Sequence, residues 1–174
     1  NTMLMWPDEL LAGLIFHELA HQVVYVKNES AFNESFATFV EEEGVQRWLN
    51  SRGDKGALAA YQSSRVWRTW VVNQVIIHRM SLADLYATKS TSEVMRKQKR
   101  LLFKRFRGRY DRERSAGQHP MTWDHWIGSE PNNAKLNAVA TYQQFVPAFQ
   151  RLFELSDSNF PIFLDKVRAL GDVT

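Results

Sequence analysis

Cysteine is absent from this chain. No disulfide framework is possible, and a bound metal would have to take imidazole, carboxylate or water as ligands. The absence fits an oxidising or a reducing compartment. Apolar runs of the length that crosses a bilayer as a helix are missing as well. Only 5 prolines and 8 glycines are spread over 174 residues, with no linker-like stretch and no internal repeat. One domain spanning residues 1–174 is therefore expected. An initiator Met and a secretory signal are also missing, so a chain beginning at Asn1 reads as a fragment or processed form, the later part of a longer protein. What is present is ordinary for a soluble globular chain: 44% hydrophobic and 24% charged residues.

The net charge is only +3, but it is unevenly placed. Residues 96–114, RKQKRLLFKRFRGRYDRER, are dense in Arg and Lys with aromatics between. The run reads as a solvated amphipathic helix with Leu101, Leu102, Phe106 and Tyr110 inward. No nucleic-acid motif accompanies it, so no nucleic-acid partner is expected. Contact with an anionic surface is the alternative.

Helical periodicity dominates, with little or no β-sheet expected. A first helix should start near Pro7, with Asp8 and Glu9 in its first turn. Leu10, Leu14, His17 and His21 share one of its faces. KNES breaks the pattern, and Asn28 or Ser30 is placed to cap a second helix running to about Leu49. Residues 55–80 read as a third helix, with Tyr61, Val66, Trp70, Val71 and Ile77 among its apolar positions. Ser81 or Ser92 would cap a fourth reaching about Arg114. Residues 115–133 read as an ordered loop, and 134–155 and 158–170 as helices. One short extended piece is expected near Thr2–Trp6 or near Tyr25.

The stretch LIFHELAHQVVYVKNESAFNESFA, residues 14–37, carries the chemistry. In H-x-x-x-H on a helix the two imidazoles project from one side and reach a single ion. Zinc accepts such nitrogens together with a carboxylate, and a catalytic site keeps one position open. Glu18 is turned by about 100° from His17 and would sit beside the ion, placed to move a proton. The third ligand cannot follow the H-E-x-x-H-x-x-G-x-x-H pattern, because positions 24 and 27 are Val24 and Lys27. A glutamate on the next helix is the other solution. Glu34 fits, with Ala31 and Ala37 as small neighbours, and Glu29 is the second candidate. Phe32, Phe36, Phe39 and Val40 form a separate apolar stripe on the same helix.

The stretch 13–49, GLIFHELAHQVVYVKNESAFNESFATFVEEEGVQRWL, resembles the predicted aminopeptidase family of bacterial zinc metallopeptidases. It is similar more broadly to the glutamate-zincin group, in which H-E-x-x-H and a downstream N-E supply the ligands. NNAKLNAVATYQQFVPAF, residues 132–149, resembles the same family. The resemblance implies a zincin-like helical metallopeptidase domain holding one zinc ion through His17, His21 and Glu34, with Glu18 as base. It also implies a peptide or protein substrate, and a longer parent protein of the periplasm or the lipoprotein-anchored bacterial envelope. The G-x-M-E-N stretch that holds a free amino terminus in one-zinc aminopeptidases has no counterpart in this chain.

Among the remaining polar residues, Tyr142 is the first choice as donor to a developing oxyanion. Thr38 and Glu41, one and two turns beyond Glu34, are placed to orient the histidines. Asn33 would serve the start of its helix or contact substrate. His119 and His125 would line a cleft from the irregular loop, whereas His78 reads as structural. The main expectation is peptide hydrolysis at a zinc centre. The alternatives are a binding or regulatory module on the same scaffold, whose basic helix contacts an anionic partner, and a helical domain without metal.

Overall fold

A computed structural model describes residues 7–117, 119, 121–129 and 132–171. Its elements are α1 (Asp8–Val23), α2 (Ser30–Ser51), α3 (Lys55–Ala87), α4 (Ser92–Ala116), a 3-10 turn (Met121–Trp123), α5 (Asp124–Gly128), α6 (Asn133–Gln143), α7 (Val146–Glu154) and α8 (Phe160–Gly171). The chain is mainly α, with no strand among the described residues. Val24 is extended, with φ −139° and ψ 126°, but no ladder forms near Tyr25. The other position expected to be extended, Thr2–Trp6, lies outside the described residues. No helix of the described residues is long and apolar enough to cross a membrane.

The helix ends follow local chemistry, with small departures from the expected caps. Pro7 precedes α1, and Asp8 and Glu9 fill its first turn, where carboxylates offset the helix dipole. Neither Asn28 nor Ser30 caps α2. Asn28 instead takes the left-handed conformation, φ 67°, which asparagine tolerates better than most residues. Thr91, one residue before Ser92, caps α4 by accepting from the Val94 amide at 3.4 Å. The helix expected over 134–155 is broken at Gln144 and Phe145. Pro147 lies in the first turn of α7 and cannot donate to a continuing helix.

The chain divides into two compact units. One holds residues up to Ser63 together with Thr141 onward, and the other holds Ser64–Ala140. The boundaries fall within α3 and α6, where no linker composition marks them.

In the first unit α1 packs along α2. Gly44 on α2 receives the ring of Phe16: a Cβ there would stand 2.8 Å from its Cγ and Cδ2. α2 is buried over most of its circumference, including the polar Asn33, Ser35, Thr38 and Glu42. Its Phe36 and Phe39 join Phe149 and Phe153 of α7 and Phe163 and Val167 of α8 in one core, with Phe32 and Val40 packed against it. Each such aromatic side chain contributes roughly 2–3 kcal/mol by leaving water. The stripe read on α2 thus anchors it against α7 and α8, leaving Glu34 for another face.

In the second unit Trp67, Val71, Val75 and Leu82 of α3 form a core with Phe103, Phe106 and Tyr110 of α4 and with Ile127 and Leu136. The Tyr110 hydroxyl donates to Asp124 at 2.6 Å. Burial, then that contact, pushes its pKa far up. The inward faces differ by one or two residues from the sequence expectation in a few places, while Phe106 and Tyr110 are inward as expected. Val66 (71% exposed) and Ile77 (48%) point outward while Trp67 and His78 are buried. Leu101 is 40% exposed and Phe103 takes the inward place. A step of one residue turns a helix face by about 100°, and a helix as rich in apolar residues as α3 offers two adjacent stripes.

Candidate metal centre

His17 and His21 stand one turn apart on α1, with ring centroids 5.0 Å apart and planes at 79°. Glu34 arrives from the first turns of α2. Its Oε2 lies 3.4 Å from His17 Nε2 and 3.9 Å from His21 Nε2. One ligand atom from each of the three residues lies within 4.8 Å of the others. Donors about 2.0–2.1 Å from a tetrahedral zinc are separated by about 3.3 Å, so this trio is slightly open around such a point. Glu29, the other carboxylate weighed for this position, precedes α2, is exposed and is not in the cluster.

The donor set fits a divalent cation on its chemistry. Glu41, seven residues beyond Glu34 on α2, sits 3.2 Å from His17 Nδ1. A proton on Nδ1 satisfies that contact and turns the Nε2 lone pair toward Glu34, the arrangement that a carboxylate on the far ring nitrogen enforces at metal-binding histidines. Hydrogen bonding to Glu41, opposed by burial and aided by the charges of Glu41 and Glu34, raises the pKa of His17 above its ordinary value. The pocket therefore draws positive charge onto His17, and a proton and a metal ion compete for the same place. His21 Nδ1 is buried without a hydrogen-bond partner among the described residues.

Tyr142, near the end of α6, stacks on His17 at 6.1 Å with planes 22° apart. Burial comes first, then the charge of Glu34 and a hydrogen bond to it, then the charge of Glu18; together they raise the pKa of the phenol. The hydroxyl thus keeps its proton at neutral pH and stands among Glu34, Glu18 and His17. Glu18 itself is exposed to solvent on α1.

A family model described as "Putative aminopeptidase" matches residues 1–174. The chain belongs to that family. No curated protein and no solved structure matches it. The family description points to a peptidase.

The other sequence candidates fall elsewhere. Asn33 gives its side chain to the loop before α2, accepting from the Val26 amide at 2.8 Å and donating to the Val26 carbonyl at 2.7 Å. That pair ties the first turn of α2 to the preceding loop at Asn33, the residue before Glu34. Thr38 is buried on α2. His119 and His125 belong to the second unit, where His119 stacks on Trp67 at 4.2 Å and His125 is exposed on α5. One residue was not foreseen. Ser35 is fully buried; its hydroxyl donates to the Thr141 carbonyl at 3.2 Å and accepts from the Phe145 amide at 3.1 Å. These two bonds clasp the backbone on both sides of Tyr142. A small polar residue inside a helix carries no such signal in sequence.

Proposed function

We propose that this chain is a zinc-dependent peptidase on a zincin-like helical scaffold, with His17, His21 and Glu34 holding one zinc ion. The observation that carries the reading is the convergence of His17 Nε2, His21 Nε2 and Glu34 Oε2. When bound, zinc acidifies water and polarises the scissile carbonyl. The other steps belong to the protein. Glu18 takes a proton from the attacking water and delivers it to the leaving amine. The Tyr142 hydroxyl donates to the oxygen that gains negative charge as the carbonyl is attacked. Glu41 holds His17 through Nδ1, and Asn33 and Ser35 set the backbone that presents Glu34 and Tyr142.

The family description names aminopeptidases, and the charge of the site supports that narrower reading. Glu18, Glu34 and Glu41 bring three carboxylates to a site where a divalent ion balances two, which suits a substrate carrying an α-ammonium group.

A pair of variants tests the assignment. Glu18→Gln should retain one zinc per chain and lose hydrolysis of a neutral peptide. Glu34→Gln should lose zinc affinity, because a neutral amide no longer offsets the ion's charge. Full activity in Glu18→Gln would refute the hydrolytic mechanism, and unchanged zinc affinity in Glu34→Gln would move the third ligand elsewhere.

A further inference from the structure

The two units carry opposite charge. Ser64–Ala140 contains fifteen Lys and Arg against six Asp and Glu, a formal +9, whereas the rest of the chain has seven against thirteen, a formal −6. Within the basic unit a cavity of about 210 Å³ opens between α3 and α4. Arg105 and Arg109, one turn apart on α4, line it on the polar side, and Ile77, Leu102 and Phe106 supply apolar wall. No carboxylate among the described residues lines it. Arg109 is steadied by Gln74, which accepts from Nη1 at 2.9 Å. Arg105 makes no ion pair among the described residues. His78 also lines the cavity; it is 4% exposed, stacked on Phe106 at 4.7 Å, and its Nε2 has no hydrogen-bond partner.

We propose that this cavity binds a phosphate group, held by Arg105 and Arg109, with the apolar part of its carrier lying against Ile77, Leu102 and Phe106. Two guanidiniums one turn apart balance a dianion and offer forked donors to its oxygens. The surrounding charge favours the same ligand, since exposed Arg96, Lys97, Arg100, Lys104 and Arg107 on α4 raise the local concentration of anions. Burial, with the charge of Lys99, lowers the pKa of His78 to about 4, so at neutral pH the ring is an uncharged wall. A basic helix that is only solvated requires neither a cavity nor two arginines in its lining. The proposal is independent of the peptidase reading, because all its residues lie in the second unit.

The test is titration of the whole chain with inorganic phosphate by calorimetry, beside co-sedimentation with vesicles of phosphatidylcholine alone or mixed with phosphatidylglycerol. The expected result is saturable binding in at least one arm. Phosphate binding without vesicle binding identifies a free phosphate compound as the source of the ligand, and vesicle binding that requires phosphatidylglycerol identifies a lipid headgroup. Arg105→Gln with Arg109→Gln should weaken binding by about tenfold or more, charged forked contacts being the strong ones. Arg96→Gln with Arg100→Gln removes the same charge outside the cavity and should cost less than about threefold, as screening makes distant charges weak. Ile77→Glu, which adds an acid at the exposed rim without touching the core, should abolish binding even if the arginine pair proves unstable. No saturable binding in either arm, equal loss in both arginine pairs, or undiminished binding by Ile77→Glu would overturn the proposal.

Discussion

At the scale of residues the site rests on how one histidine is shared. His17 faces Glu41 through Nδ1 and Glu34 through Nε2, and its raised pKa follows from the first contact before any other. In the metal-free protein the protonated form is the stabilised one. That stability is fully present below the ordinary value of 6.5 and is lost as pH rises through the raised folded value. Zinc held as proposed would have the opposite dependence, because the same proton must leave before Nε2 can coordinate. Acidification should therefore begin to release zinc at a higher pH than an unperturbed histidine would dictate. Glu41→Gln should bring the metal-free His17 pKa, followed by NMR, back toward 6.5 and weaken zinc about 10- to 100-fold. An unmoved pKa would mean that Glu41 does not govern this ring. The two imidazoles were legible in sequence because helical spacing alone places i and i+4 together, and Glu34 was the first choice among the acids of α2. Sequence alone did not exclude Glu29, since where each acid falls depends on the left-handed Asn28 that precedes both and on the Asn33 clasp of Val26.

At the scale of elements, α2 is the part on which the site depends. One face of it enters the phenylalanine core, another faces α1, and Ser35 ties it to the α6–α7 turn. Tyr142→Phe keeps the ring against His17 and removes only the hydroxyl, so it should retain zinc and lose about 10²- to 10³-fold in kcat, the usual effect of deleting an oxyanion donor. Ser35→Ala leaves the Phe145 amide unpaired, at about 1–3 kcal/mol of stability. It should lower kcat with zinc retained, and adding Tyr142→Phe should then cost less than it does alone. Additive losses in the double variant would show that Ser35 does not act through Tyr142. In the second unit the α3–α4 pairing has its own titration. His78 is held near pKa 4 by burial and Lys99, so the unfolded chain binds its proton more readily. Stability is complete above 6.5 and falls as pH drops toward about 4, by up to about 3 kcal/mol for a shift of this size. Thermal melts across that range should show the decline, and His78→Leu should flatten it. An equal slope in the variant would place the acid sensitivity elsewhere. Helix positions were readable from periodicity, but the inward faces of α3 and α4 were read one or two residues off in places, because neighbouring apolar stripes compete where Val66 meets Trp67 and where Leu101, Leu102 and Phe103 run together.

At the scale of the whole molecule, sequence composition conveyed the helical class and the uneven charge. It did not convey the two compact units, whose boundaries cut through α3 and α6 where helix-forming residues run on without a break. Nor could it place Tyr142, more than a hundred residues from His17 in sequence; only the family resemblance of residues 132–149 pointed there. The charge division gives the molecule an acidic unit with the candidate metal site and a basic unit with the candidate phosphate site, so the two activities can be tested by separate variants. The claim on which the account turns is that His17, His21 and Glu34 share one ion. Diffraction data collected on either side of the zinc absorption edge test it most directly, on crystals of the whole chain grown with zinc at neutral pH. The account predicts one strong anomalous peak within coordination distance of His17 Nε2, His21 Nε2 and a Glu34 oxygen. A zinc peak at other residues, or none at this trio, would contradict it.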